Sequence, residues 1–420
     1  MQKKQNMVVF YGAGNYAVTV FDILYKKYKP VVYGDNDTKK HGTHFMGLPV
    51  LSFEDINIQY PNCQFYVTVN EPVKFGVITS LIDKGVECER IINFEESKRY
   101  KSCRFLETYM LHLQQDLFYC CSDFGKNHSP VIYKHGNTYE QIMHSFFSMR
   151  DKIIDTLSTP NDSSKIDKNP CLGCPEVKDG LWSTDRRIRQ INFNYRSFCN
   201  FKCVYCTTRL GKIDSSFYTE VEDALGFLNF LKEKNYISVD TIIENASGEI
   251  LTHPLRDKIL AAVQNNPCWF YTNACIYNKK IAKILSKGKS KIIPSIDAGT
   301  RETFKKVKGV DLFDKVCENL IQYAKDGFVE LKYIILPGLN DNERDINGLI
   351  DICQRAKIKC MNISRNLHDM NAFSEHTLNM IILILKNTRN LGINVSIPDW
   401  IFTGTSDKQR VEERLADALL

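Results

Sequence analysis

Three cysteines lie close together in the segment CNFKCVYC, at Cys199, Cys203 and Cys206. A short loop makes its side chains converge, so thiolates at this C-x3-C-x2-C spacing suit a cubane iron–sulfur cluster, in which each ligated iron takes one thiolate. Three thiolates leave the fourth iron without a protein ligand, and an open metal position can bind and activate a small molecule. The alternatives are three unrelated thiols or a structural zinc site, which normally has four ligands and C-x2-C pairs.

A second pair, Cys171 and Cys174, has C-x2-C spacing in NPCLGCPEV. This pair could supply half the ligands of an auxiliary cluster or a zinc ion, or it could be two thiols in a turn. The thiols that could complete such a site are Cys120, Cys121, Cys353 and Cys360. Six cysteines have no ligand-spaced partner and are predicted to be small buried hydrophobes: Cys63, Cys88, Cys103, Cys268, Cys275 and Cys317.

The elements that must position the three cysteines are helices and strands that alternate regularly in the second half of the chain. Amphipathic helical segments alternate there with apolar runs, which predict strands at 189–195, 239–245, 269–273, 291–297, 329–336 and 360–364, with a seventh candidate at 393–397. Six βα units in succession predict a partial (β/α)6 barrel of the TIM type. Cys199 follows the first of these strands, where such barrels carry their chemistry.

The same segment resembles the radical S-adenosylmethionine (SAM) enzymes. CNFKCVYC matches their C-x3-C-x-aromatic-C signature, with Tyr205 at the aromatic position, and the resemblance covers about residues 185–370. It implies a [4Fe–4S] cluster on the three cysteines, with the amino and carboxylate groups of SAM on the fourth iron. It also implies reductive cleavage of SAM to a 5′-deoxyadenosyl radical, which takes a hydrogen atom from the substrate. A flavodoxin- or ferredoxin-type protein would supply the electron.

The resemblance extends to a loop after the second barrel strand. ENASGEI looks like the family's Gly-Glu loop, which holds the methionine ammonium, and the match rests on Ser247, Gly248 and Glu249. Ser247 and Ile250 depart from the commonest form, which has Gly and Pro at these positions. Glu249 could instead be a helix-capping carboxylate.

Further SAM contacts are implied at later strand ends. SIDAGTRETF puts Ser295 and Asp297 where ribose and carboxylate contacts are made in the family, although Asp297 could equally cap the following helix. YTNAC and NISRN look like the third and sixth strand ends. They add three cofactor or substrate candidates, Asn273, Ser364 and Arg365.

The N-terminal half carries its own motif. FYGAGNYAVTVFDIL follows a predicted strand and opens a helix, giving G-x-G-x-x-A at Gly12, Gly14 and Ala17, and Asp35 ends the next strand. In that arrangement glycines admit a phosphate to the helix N-terminus and the acid takes ribose hydroxyls. The segment resembles the small Rossmann-like domains of sugar-modifying and capsule-assembly proteins, which implies a nucleotide or nucleotide-sugar ligand. The alternative is a degenerate Rossmann fold whose glycines serve backbone geometry alone.

Length and composition set the outer limits. The chain has 420 residues, more than one hydrophobic core of about 250–300 residues usually holds. Its net charge of +6 is spread along the sequence, which predicts no nucleic-acid partner. The apolar run at 7–11 is too short for a signal peptide or a membrane span. Fifteen cysteines without a secretion signal therefore predict a cytoplasmic protein with free thiols and no membrane insertion.

We therefore expect an α/β protein with four segments. They are a Rossmann-like nucleotide-binding-type domain at 1–103, a helical connector and linker at 104–168, the radical SAM partial barrel at 169–400 and a tail at 401–420. Residues 104–158 are expected to be helical, with a loop at 127–137. The expected function is a radical SAM reaction on a small molecule, a carbohydrate carried as a nucleotide sugar in surface polysaccharide biosynthesis. A peptide-modifying radical SAM enzyme and a non-catalytic iron–sulfur or nucleotide-binding assembly protein are the alternatives.

Overall fold

The protein was analysed as a computed structural model. The structure describes the chain except for residues 1–6, 70, 96, 114–115, 119–136, 159–170, 172–173, 175, 195–198, 207–215, 246–247, 367–368, 370, 398–400, 403–408, 412 and 415–420. The chain divides into two compact units: one comprises Met1–Tyr195 with Thr219–Glu244, and the other comprises Arg196–Tyr218 with Asn245–Leu420. No helix among the described residues is both long enough and apolar enough to cross a membrane.

The first unit begins with a five-stranded sheet. Its strands are Val8–Tyr11 (β1), Val32–Gly34 (β2), His44–Phe45 (β3), Leu48–Leu51 (β4) and Gln64–Val67 (β5), and its helices are Asn15–Tyr28, Phe53–Gln59 and Glu71–Asp83. The strand order is β3-β4-β2-β1-β5, and all pairs are parallel except β3 with β4. Chain order therefore reverses between β1 and β5, and open α/β sheets bind ligands at such a point. Apolar residues on both faces, such as Val9 and Phe10, are fully buried because helices cover both sides.

The rest of the first unit departs from the expected helical connector. It contains Ser97–Ser102 (β6), the helix Arg104–Thr108, Tyr109–Leu113 (β7), Asp116–Phe118 (β8), the helix Tyr139–Ser158, Lys178–Ser183 (β9), Gln190–Asn194 (β10), the helix Ser216–Glu233 and Ile242–Asn245 (β11). The expectation of helix was wrong for β7 and β8. The YMLHL segment pairs in parallel with β10, so an available strand edge overrides local preference. The antiparallel pair of β6 with β9 was also not predicted.

The second unit is a parallel sheet with a helix after each of its first four strands. Its strands are Cys268–Thr272 (β12), Lys291–Pro294 (β13), Phe328–Ile335 (β14), Cys360–Arg365 (β15) and Asn394–Ser396 (β16), paired in the order β16-β15-β14-β13-β12. Its main helices are Arg256–Val263, Lys279–Leu285, Arg301–Lys308, Phe313–Asp326, Glu343–Arg355 and Glu375–Asn390. With β10 and β11 in the first unit, every strand predicted for the second half is present. The α/β fold class is confirmed.

The two faces of this second sheet differ in chemistry. Side chains alternate between faces along a strand, and on one face Leu331, Tyr333 and Ile363 are completely buried. The intervening residues Lys332 and Asn362 are polar and only partly buried. One face is therefore an apolar core and the other a polar surface, and the candidate site lies at the carboxyl end of these strands.

Candidate functional site

The cysteine loop is held by the end of a helix. Cys199, Cys203 and Cys206 are free thiols, each partly exposed. The amide of Lys202 donates to the carbonyl oxygen of Lys308 at 2.9 Å, and the amide of Val204 donates to that of Val307 at 2.9 Å. The last turn of helix Arg301–Lys308 thus uses its unpaired carbonyls to fix the loop on either side of Cys203.

Gly309 allows this close approach. It ends the helix in the left-handed conformation, with φ of 68°. A Cβ atom on Gly309 would lie 2.8 Å from the Cβ of Lys202 and 2.9 Å from the Lys202 oxygen, which is too close for any side chain. Nearby, the Phe201 ring packs edge-on against Phe304, with ring centroids 5.9 Å apart. Glycine at this position lets the cysteine loop lie directly against the helix end.

The donor set fits a thiolate-ligated cluster. Among the described residues no three His, Cys, Asp or Glu side chains are close enough to share a single metal ion. A cubane places its thiolates on different irons, so the three sulfurs do not have to meet at one point. Burial raises the pKa of the Cys199 and Cys203 thiols, while the charge of Lys308 opposes the rise at Cys203. Bound metal would hold these thiols as thiolates.

A buried ion pair supports the loop from within. Lys308 is 1% exposed and Asp297 is fully buried, and they form an ion pair through Asp297 Oδ2. Tyr205 joins them: its hydroxyl donates to the same carboxylate oxygen and lies 2.7 Å from Lys308 Nζ. The other oxygen, Oδ1, accepts the amide of Ile334 at 2.6 Å. Burial, followed by the Asp297 charge, raises the pKa of Tyr205, so its hydroxyl stays protonated and donates.

Tyr205 and Asp297, two residues predicted to contact SAM, form their polar contacts within the chain in this network. Both carboxylate oxygens of Asp297 already accept hydrogen bonds from the chain, and its backbone lies in the left-handed region at φ of 50°. The Tyr205 ring packs with Val307, Ile334 and Leu336. Because their polar atoms are engaged within the protein, the structure favours a positioning role for both residues. Direct contact with SAM stays a prediction for each of them.

Glu249 connects two strand ends. Its carboxylate accepts the Thr272 hydroxyl at 2.9 and 3.0 Å and the Asn273 amide at 2.7 Å, and it also accepts the amide of Leu251 at 3.2 Å. The side chain is 1% exposed, and burial raises the pKa of Glu249 above its ordinary value. Gly248 has φ of 64°, which favours glycine, and Ser247 lies outside the described residues. The predicted helix-cap alternative is also present, because Glu249 caps the short helix that follows it.

The raised pKa of Glu249 makes a prediction for a Glu249→Gln variant. A carboxyl whose pKa is higher in the folded state than in the unfolded state stabilises the fold at low pH. That contribution is lost as the pH rises through the folded pKa. We therefore expect wild type to lose unfolding free energy relative to Glu249→Gln as the pH rises from about 4. Urea unfolding at several pH values measures this difference, and exposed Glu302→Gln should show none of it. A wild type that gained unfolding free energy relative to Glu249→Gln as the pH rises would contradict the raised pKa.

Two amides connect the cysteine loop to the end of β12. The side-chain nitrogen Nδ2 of Asn273 lies 3.7 Å from the Cys199 sulfur and donates to Asn200 Oδ1 at 2.8 Å. Asn200 in turn donates to the sulfur of Cys275 at 2.9 Å. The sequence predicted Asn273 as a candidate but missed Asn200 and the position of Cys275, which is buried as expected yet lies beside the loop. No spacing rule marks either residue, because the contact forms only through the fold.

The remaining candidates lie at the ends of β13 and β15. Ser295 and Ser364 lie on the polar face, one just after β13 and the other within β15. The guanidinium of Arg365 is directed elsewhere: it donates to the carbonyl oxygens of Asp369, Asn371 and Ile401 at 2.6–3.0 Å. Arg365 is therefore engaged in fixing its own loop, and its SAM contact stays a prediction.

The N-terminal glycines take the predicted positions. Gly12 follows β1 with φ of 116°, and a Cβ there would lie 2.5 Å from Val69 Cγ1, so close packing of the next strand end requires glycine. Gly14 precedes helix Asn15–Tyr28, where a Cβ would meet no atom within 4 Å. Ala17 is fully buried inside that helix. The space beside Gly14 is compatible with a ligand at the helix start.

Asp35 is engaged in the same loop. Its Oδ2 accepts the Ala13 amide at 2.7 Å and the Lys40 ammonium at 2.9 Å, and its Oδ1 accepts the Asp37 amide at 2.9 Å. A carboxylate with these partners organises the loop around Gly12 and Gly14. Its predicted contact with ribose hydroxyls would have to replace one of these bonds.

Cys171 and Cys174 form a turn, with the Cys174 amide donating to the Cys171 carbonyl oxygen at 3.2 Å. Both thiols are partly exposed. Of the completing thiols proposed from sequence, Cys120 and Cys121 lie outside the described residues. Cys353 and Cys360 are at most 1% exposed, and burial raises the pKa of each to about 12. The auxiliary metal site stays a prediction.

Comparison with known proteins agrees with this site. Residues 193–353 match the family model of the Radical SAM superfamily. An uncharacterized protein of Methanocaldococcus jannaschii is 25% identical over 216 residues, which are 48% of this chain and 68% of that protein. A probable GTP 3′,8-cyclase of Saccharolobus islandicus is 25% identical over 201 residues, which are 46% of this chain and 62% of the cyclase.

Among solved structures, Streptococcus suis SuiB bound to S-adenosylmethionine overlaps 63% of this chain, with 14% identity and a TM-score of 0.41. The overlap covers 53% of the SuiB chain, so the present chain spans less than two thirds of both SuiB and the cyclase. The family match covers the cysteine loop, the Glu249 loop and the Asp297 network. The resemblance seen in the sequence is thus confirmed for residues 193–353, the part of the chain that matches the Radical SAM superfamily.

Proposed function

We propose that the chain holds a [4Fe–4S] cluster on Cys199, Cys203 and Cys206, binds SAM beside it and removes a hydrogen atom from a substrate. When bound, the cluster and SAM supply one-electron cleavage of the sulfonium and hydrogen-atom abstraction. One observation carries the proposal: three accessible thiols lie on one loop that backbone hydrogen bonds fix to a helix end, within the family match. The auxiliary site at Cys171 and Cys174 is a further proposal.

The residues around the loop have supporting roles in this proposal. Tyr205, Asp297 and Lys308 hold the loop against the helix end and keep water from its inner side. Glu249 and Asn273 fix the strand ends nearest to Cys199. The backbone at Gly248 and the hydroxyl of Ser364 are the groups we assign to SAM.

The substrate class is a separate proposal. We favour a small molecule that carries a phosphate or carboxylate, of which a nucleotide-linked sugar is one example, over a peptide. Two observations support it: the strand-order reversal beside Gly12 in the first unit, and a relative named for cyclisation of GTP. The engagement of Asp35 by Ala13 and Lys40 argues against its predicted role with ribose.

Release of 5′-deoxyadenosine tests the proposed chemistry. We expect the anaerobically reconstituted protein, given SAM and dithionite, to release 5′-deoxyadenosine above the level of a sample without reductant. Liquid chromatography of the quenched reaction measures the product, and protein without added iron and sulfide is the control. A well-formed cluster that releases none would refute the enzyme and favour the non-catalytic assembly protein.

A further inference from the structure

Four polar side chains form a row across the second unit's sheet. Ser295 lies directly opposite Lys332 in a parallel bridge, Lys332 opposite Asn362, and Asn362 opposite Ser396. The row therefore crosses from the end of β13 through β14 and β15 to β16. Residues in register on one face of a sheet are neighbours, so the four side chains can act on one ligand.

The polar atoms of the four side chains have no hydrogen-bond or ion-pair partner within the described part of the chain. None of them forms a side-chain hydrogen bond or ion pair there, although all four are partly buried. The neighbours of Lys332 along β14, Leu331 and Tyr333, are completely buried on the opposite face. Polar groups in such positions normally form hydrogen bonds. Because these four side chains form none with described residues, their polar atoms are available to a ligand.

Charge balance singles out Lys332. The two acids whose charges act on it each have a lysine of their own: Glu330 pairs with Lys291 at 2.6 Å, and Asp297 pairs with Lys308. Among the described residues no acid forms an ion pair with Lys332, whose ammonium lies 5.9 Å from the centre of the Tyr271 ring. Burial lowers the pKa of Lys332, which shows that holding this charge without an acid is costly.

The row ends close to the cysteine loop. The amide of Ser295 donates to the carbonyl oxygen of Thr272 at 3.1 Å, and the next residue, Asn273, contacts Cys199. A ligand anchored at Lys332 therefore lies on the same face as the strand end that meets the loop.

We propose that Lys332, with Asn362 and the hydroxyls of Ser295 and Ser396, binds an anionic group of the substrate, a phosphate or a carboxylate. This inference rests on the proposed function, because it gives the substrate class for the same site. An ammonium with amide and hydroxyl neighbours supplies charge-assisted hydrogen bonds to such an anion. The carboxylate of SAM is a second possible source of the same chemistry, and the experiment separates the two.

The test uses inorganic phosphate as the probe. Calorimetry measures phosphate binding to the cluster-reconstituted protein saturated with SAM, for wild type, Lys332→Met and Lys315→Met. The second variant removes an equal charge from an exposed position. We expect Lys332→Met to weaken phosphate binding about tenfold and Lys315→Met to leave it unchanged. In wild type, phosphate should also slow the acetylation of Lys332 by acetic anhydride, which peptide mass spectrometry measures. This second experiment uses only wild-type protein, so it does not depend on the folding of a variant.

Two results would overturn the inference. Equal phosphate affinity in all three proteins, with no protection of Lys332, would show that the row binds no anion. Protection by SAM alone, with SAM affinity reduced in Lys332→Met, would assign the lysine to the cofactor instead of the substrate. Release of 5′-deoxyadenosine is measured separately. A failure to bind phosphate would therefore leave the proposed radical chemistry untouched, and a failure to release 5′-deoxyadenosine would leave the phosphate result untouched.

Discussion

We expect Cys203→Ala to lose the iron–sulfur cluster and all release of 5′-deoxyadenosine. Cys203 is the central thiol of the loop, between the two backbone hydrogen bonds of Lys202 and Val204 to the helix end. Removing it leaves two thiols for a cluster that needs three protein ligands in this site. Iron and acid-labile sulfide per chain, after anaerobic reconstitution, measure the loss.

Two other cysteine variants make this result specific. Cys88→Ala changes a partly buried thiol of the N-terminal unit and should keep the full iron content. Cys275→Ala removes the buried thiol that Asn200 contacts beside the loop, and it too should keep the cluster. Loss of iron in Cys275→Ala would mean that this thiol is itself needed to hold the cluster, which would contradict a site made by Cys199, Cys203 and Cys206 alone. A full cluster in Cys203→Ala would refute the ligand assignment itself.

The second large effect is expected in Lys308→Met. This change leaves the Asp297 carboxylate fully buried without its cation, which typically costs about 3–5 kcal/mol of unfolding free energy. The cysteine loop should also loosen, because Tyr205 and the helix end that fix it share this network. Urea unfolding of the protein before reconstitution measures the first effect. The iron content after reconstitution measures the second.

The same helix offers a matched control. Lys305 is 67% exposed and lies 4.0 Å from Asp311, so Lys305→Met should cost at most about 1 kcal/mol. Adding Asp297→Asn to Lys308→Met removes the stranded charge and should recover part of the stability. If Lys308→Met were as stable as Lys305→Met, the buried pair would have no structural role.

The sequence predicted the elements and the cysteine chemistry because both depend on local patterns. Apolar runs between amphipathic helical segments mark the strands, and the spacing of thiols within one short loop does not depend on the tertiary arrangement. The prediction failed at β7 and β8, where residues 109–113 and 116–118 form strands. β7 pairs with β10, which lies about 80 residues away in sequence, so no local signal predicts this strand. β8 forms only because β7 offers it a strand edge.

The sequence by itself determined which thiols, strands and family motifs this protein has. Only the tertiary structure decided what the polar residues do. The sequence predicts Asp297 as a SAM contact and Arg365 as a cofactor or substrate contact, yet the fold engages them with Lys308 and with backbone carbonyls. Lys332 carried no signal in the sequence, and none of the described acids forms an ion pair with it. The physical reason is that a buried charge takes its role from its neighbours, and these come from strands and helices distant in the chain.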